Sequence, residues 1–271
     1  MITVKQAVLF KAYDCVLLAR VYPPEWLLEA TAGEYSPEMA PGQFGRVRDV
    51  IAIRDSLAPP GRPHLWYLQF YPYLARVGAV PADTAARRLR EYLGGRPDQI
   101  GFALRWWFEQ GDTGSLQRAV EILRSHHYSL SGSYPTRRTR SVLDETSAHL
   151  ALLRGDTTKA FALLTAWRRC TDGMWCSPAD YTAAQLLAAA GRLRGADALS
   201  GWAASGSYDG ALTQMQQALL RGRINERRNP VIAAWSYHVV LDFWAGGDPE
   251  VQPWVEEARA GLERLGLQVE Q

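Results

Sequence analysis

The chain reads as all-α, built from about six helical hairpins, and three observations lead there. Apolar residues recur at helical spacing through most of the 271 residues. Glycine, often followed by aspartate, punctuates them at hairpin-like intervals, and no segment joins strict apolar alternation to hairpin turn residues. The clearest stretch is 142–209. Leu143, Thr146, Leu150 and Leu153 form one stripe, Gly155 and Asp156 stop it, and Ala160, Leu163, Leu164 and Trp167 open another. A second copy follows the same plan through Ala183, Leu186, Leu187 and Ala190, then Gly191, then Leu193, Ala196, Leu199 and Trp202.

In chain order, Val4, Val8, Phe10, Leu17 and Leu18 predict a first helix over 2–19, ended by Pro23 and Pro24, with a short helix near Trp26. Residues 33–45 carry three glycines and two prolines and read as a long surface loop. A helix over 47–57 comes next. Prolines 59, 60 and 63 then break the chain before an aromatic helix in which Pro72 predicts a kink. Beyond Gly78 the pattern is regular: helices over 82–93, 98–109 and 115–124, a Ser/Gly/Pro-rich junction over 126–140, and the two hairpins of 142–209. The last helices fall at 211–220, 231–244 and 249–265, with 221–230 as a charged connection. All of this fits one helical-hairpin domain spanning 1–271.

Composition narrows the function. With 30 basic against 28 acidic residues the formal charge is only +2, so nucleic acid is not an expected partner. The N-terminus, broken by Lys5, Lys11 and Asp14, lacks the apolar core of a signal peptide, and no window is apolar enough to span a membrane; a cytoplasmic location is expected. Cys15, Cys170 and Cys176 are odd in number and lack metal-ligand spacing, so no metal site is predicted. Ten tryptophans stand out. They point either to an aromatic-lined cavity or to a large aromatic core.

Two closures suit such an array. The turn glycines 78, 111, 155, 191 and 246 are spaced by 33, 44, 36 and 55 residues, against the nearly constant spacing of about 34 in tetratricopeptide repeats. A ring, or α/α toroid, is therefore favoured over a tetratricopeptide-like solenoid. The succession DGMW, DYTAAQLLAAAGRL, ADALSGWA and SYDGAL resembles the repeats of the terpenoid cyclase and protein prenyltransferase superfamily, whose members are α/α toroids. Residues Val142, Leu143, Asp144, Glu145, Thr146 and Ser147 resemble the Asp-x-Asp-Asp-Thr-Ala motif of class II terpene cyclases, with Val142, Glu145 and Ser147 departing from it. The helix start Asp180, Tyr181, Thr182 lacks the cysteine with which prenyltransferases hold zinc.

The resemblance implies an aromatic cavity for an isoprenoid, a prenyl diphosphate or a similar apolar small molecule, cyclised by protonation. Asp144, flanked by Glu145 and Thr146, is then the acid. The rings of Trp106, Trp107, Trp175, Tyr181, Trp202, Tyr208 and Trp235 are then the cation-stabilising wall. Arg137, Arg138 and Arg140, with a second group at Arg221, Arg223, Arg227 and Arg228, suit a diphosphate, which would bring Mg2+ as the one conceivable cofactor. Two other readings stand beside it: a helical-repeat scaffold that binds a protein or peptide, and a toroid that binds a ligand without turning it over.

Overall fold

The computed structural model describes residues 44–57, 70–94, 97–129, 134–166, 177–200 and 208–267. Cys15, Cys170, Cys176 and the helices expected before residue 44 lie outside them. The described residues form α1 (Val47–Leu57), α2 (Phe70–Arg76), α3 (Ala82–Leu89), α4 (Leu104–Glu109), α5 (Thr113–Ser129), α6 (Tyr134–Leu153), α7 (Thr157–Ala166), α8 (Ser177–Ala189), α9 (Leu193–Leu199), α10 (Tyr208–Asn225), α11 (Pro230–Trp244) and α12 (Gln252–Arg264). Three 3-10 turns, Arg90–Gly94, Pro97–Phe102 and Pro249–Val251, adjoin them. Among the described residues there is no strand. Helix packs on helix in repeated fashion, each against its neighbour in sequence from α4 to α12.

The repeat lies in the turns. At Gly155 (φ 80°) the Asp156 N–H donates to Ala151 O at 2.9 Å, and at Gly191 (φ 71°) the Arg192 N–H donates to Leu187 O at 2.8 Å. Both are helix-ending loops that need the left-handed conformation glycine adopts freely. Asp156 then starts the next helix, its Oδ1 accepting the Lys159 N–H at 2.9 Å, and Asp112 does the same for Ser115 at 2.9 Å. One Gly-Asp dipeptide thus ends one helix and caps the next.

Several boundaries differ from expectation. Pro72 lies in α2, which runs from Phe70 to Arg76; residues 58–69, in which the aromatic helix is expected to begin, lie outside the described set. The predicted helix over 98–109 divides into a 3-10 turn and α4. The junction 126–140 is far more helical than its composition implies. α5 continues to Ser129, and α6 already includes Tyr134 and Pro135, with residues 130–133 outside the described set. α10 likewise runs on through Arg221 and Arg223 to Asn225.

The two ends of the described chain meet. Arg48 N–H, in the first turn of α1, donates to Asp248 Oδ2 at 2.8 Å, and Asp248 N–H donates to Gly45 O at 2.9 Å. α2 packs on α4 and also on α10. One core accordingly joins Val47, Val50, Phe70 and Leu74 to Leu212, Met215, Trp244, Val251 and Val255. Two smaller clusters, the first rich in alanine, fill the space among α6, α7 and α8 and among α8, α9 and α10. Because Asp248 caps α1 from 200 residues away, Asp248→Ala is expected to lower stability by about 1 kcal/mol. Urea denaturation checks this, and an unchanged midpoint would show that the contact is idle.

Candidate functional site

The alternate helices α2, α4, α6, α8 and α10 bring their polar side chains to one place. On α4, Arg105 is buried with its Nε donating to Glu109 Oε1 at 2.8 Å, one turn on. Its Nη1 donates to Thr182 Oγ1 on α8 at 2.7 Å and its Nη2 to Gln185 Oε1 at 3.3 Å. From α2, Arg76 approaches the same carboxylate, with Nη2 at 3.0 Å from Oε1 and Nε at 2.8 Å from Oε2, and Nη2 also donates to Gln216 Oε1 on α10 at 2.7 Å. Both guanidinium side chains are almost wholly buried, 3% and 6% exposed, while Glu109 keeps 26% exposure. From α6, His149 places Nε2 3.3 Å from Thr182 Oγ1. Guanidinium, carboxylate, carboxamide, hydroxyl and imidazole form one network across five helices.

Aromatic rings support the network. The Arg105 guanidinium lies 4.8 Å from the Tyr181 ring centroid and 5.5 Å from that of Phe108. Phe108 in turn stacks on His149, with centroids 4.5 Å apart and planes 14° from parallel. Burial, and secondarily the positive charge of Arg105, pushes the His149 imidazole from 6.5 down to about 3. It is therefore neutral at physiological pH and is no general acid there. Burial also raises the Tyr181 phenol, with Arg105 acting against it.

That depressed imidazole makes stability pH-dependent. Between pH 6.5 and about 3 the unfolded chain binds a proton at His149 that the native protein refuses. The contribution is complete above pH 6.5, shrinks as pH falls, and is gone below about 3; its size is on the order of 5 kcal/mol. His149→Gln is expected to flatten the fall in urea midpoint between pH 6 and pH 4. A parallel fall in both proteins would place the acid sensitivity elsewhere.

No protein-family model, curated protein or solved structure matches the chain. The likeness to terpenoid cyclases rests on the quoted residues alone.

The cyclase function and its aromatic cavity are corrected by the structure. Among the described residues, no ring–ring pair joins any two of Trp106, Trp107, Tyr181 and Trp235. Trp106 and Trp107 are core residues, 3% and 1% exposed. Trp235 sits on α11, with the Arg221 guanidinium 5.7 Å from its centroid, and Tyr181 lies under Arg105. The alternate helices α2, α4, α6, α8 and α10 meet at two guanidinium groups, which repel a carbocation where a cyclase must stabilise one. Among the described residues no three His, Cys, Asp or Glu side chains are grouped to hold a metal ion, so a Mg2+-diphosphate site finds no support either.

The remaining candidates are scattered. Asp144 on α6 is paired with Arg140 one turn earlier, Nε to Oδ2 at 3.0 Å, in a pair whose arginine is 60% exposed. Glu145 is buried, and Thr146 Oγ1 donates back to Val142 O at 2.5 Å. Arg137 and Arg138 lie in α6 and Tyr208 begins α10, their side chains outside the described set, as are Trp175 and Trp202 entirely. Arg221 and Arg223 pair with Asp197 and Glu257 at 3.0 and 3.1 Å. Sequence reading missed Arg76, Arg105, Glu109, Thr182, Gln185 and Gln216. The available signal was faint: polar residues at Arg105, His149 and Thr182 interrupt otherwise apolar helix faces.

Proposed function

We propose that the chain is a non-catalytic helical scaffold that binds a protein or peptide, its alternate helices arranged as a closed α/α toroid. The observation that carries this reading is the hub itself. Arg105, Glu109, Thr182, Gln185 and Gln216 direct their polar groups at one another and at Arg76. A catalytic centre holds its reactive groups towards a substrate; these hold four helices in register. Ring closure is supported by the packing of α2 on α10 and by the bonds between Gly45, Arg48 and Asp248. Helical-repeat proteins of this kind offer extended surfaces to partners and need no reactive group to do so.

The test pairs two measurements on the full chain. Photo-crosslinking from exposed helix positions, read by mass spectrometry, is expected to yield a discrete heteromeric adduct. Incubation with a small-molecule extract is expected to leave every metabolite unchanged. Protein-dependent consumption of a metabolite, or crosslinks confined to the chain itself, would overturn the scaffold reading.

A further inference from the structure

The outer surface at the α10–α11 turn combines features found nowhere else among the described residues. Val231 is 78% exposed, and only Leu267, near the end of the described chain, shares the condition of a large exposed aliphatic side chain. Trp235 and His238 follow at helical spacing on the same face of α11, the first half-buried and the second exposed. The turn just before them carries Arg227 and Arg228, both exposed. The neighbouring carboxylates are already engaged: Asp197 accepts from Arg221 Nε at 3.0 Å and Asn225 Nδ2 at 2.9 Å, and Glu226 accepts from Tyr237 Oη at 2.5 Å and Arg264 Nη2 at 2.7 Å. Arg227 and Arg228 have no ion-pair partner among the described residues.

The geometry points to this surface as the docking site for an acidic peptide segment bearing an aliphatic or aromatic anchor. The anchor packs on Val231 and the edge of Trp235, and its flanking carboxylates meet Arg227 and Arg228. An exposed valine beside a tryptophan that carries a cation on one face is an apolar spot with a basic rim, the arrangement that orients a charged peptide while an apolar side chain supplies contact. Two arginines without an ion-pair partner among the described residues, in a chain of net charge +2, are too few to track a phosphate backbone, which favours a protein segment over nucleic acid. This assignment rests on the scaffold reading and names the class of its partner.

Selection of a displayed random-peptide library on the intact protein tests it. Enriched peptides are expected to carry Asp or Glu next to Leu, Phe or Trp. They should lose at least tenfold in affinity against R227E/R228E and about fivefold against V231S, with circular dichroism confirming that both variants are folded. Enrichment without an acidic bias, or equal affinity for the variants, overturns this surface and leaves the scaffold standing. An absence of enrichment together with an absence of heteromeric crosslinks overturns both. Binding of a single-stranded oligonucleotide that R227E/R228E abolishes and V231S leaves intact would reassign the patch to a phosphate polymer and overturn the peptide site.

Discussion

Glu109→Gln lowers the thermal unfolding midpoint by roughly 6 to 12 °C, the shift that a loss of about 3 kcal/mol produces in a chain of this size. The carboxylate receives Arg76 at 2.8 and 3.0 Å and Arg105 at 2.8 Å. Its neutral isostere leaves Arg105 buried with only Thr182, Gln185 and ring faces around it. Removing one member of a buried ionic group costs more than the group's net contribution, because the charge left behind stays desolvated. Arg105→Met alone is therefore expected to cost a comparable amount, and the double variant less than the sum by at least about 1 kcal/mol. Differential scanning calorimetry of the four proteins decides it. Additive losses would mean that the two side chains do not act on each other.

Gly261→Ala is expected to cost about 3 kcal/mol, at the upper end of what overpacking does. The Tyr237 ring, wholly buried, lies between α10 and α12, and glycine faces it from both sides. A methyl group on Gly222 would come 2.5 Å from the ring, and one on Gly261 would collide with it as well. The ring cannot slide aside, since its hydroxyl is bonded to Glu226, which Arg264 holds at 2.7 and 3.1 Å. Gly246→Ala is the control: its methyl meets nothing within 4 Å, so no comparable loss is expected. If Gly261→Ala behaves like Gly246→Ala in urea, the three-helix contact is looser than the structure has it. Adding Tyr237→Leu should remove the collision, so the double variant should be no less stable than Tyr237→Leu alone.

The same contrast explains what could be read from the chain. The Gly-Asp turns at 155 and 156 were legible because a left-handed glycine and a capping carboxylate act within a few residues of one another. α1 and α11 were legible through their apolar spacing. The helicity of 134–140 was not, because local composition around Pro135 argued against a helix while packing on α5 and α7 stabilises one. The hub was hidden for a different reason. Arg76 and Gln216 stand 140 positions apart, and an arginine within a helix reads as a solvent-facing residue until the fold buries it. The tryptophans misled in the opposite direction: apolar bulk marks burial, and whether the buried rings face a space or each other's neighbours is a property of the assembled helices.

The meeting of the two ends of the described chain has a consequence during synthesis. Val47, Val50 and Phe70 belong to the same core as Trp244, Val251 and Val255, so apolar side chains made early wait for partners made much later. At bacterial-to-eukaryotic elongation rates of roughly 5 to 20 residues per second, the 200 residues between Arg48 and Asp248 take on the order of 10 to 40 seconds. Throughout that interval α1 lacks both its cap and its packing surface. Native contacts this distant in sequence also make closure slow once the chain is released. The nascent protein is thus most exposed to chaperones and to misassociation while its Gly-Asp hairpins are already competent to form and its ends have yet to meet.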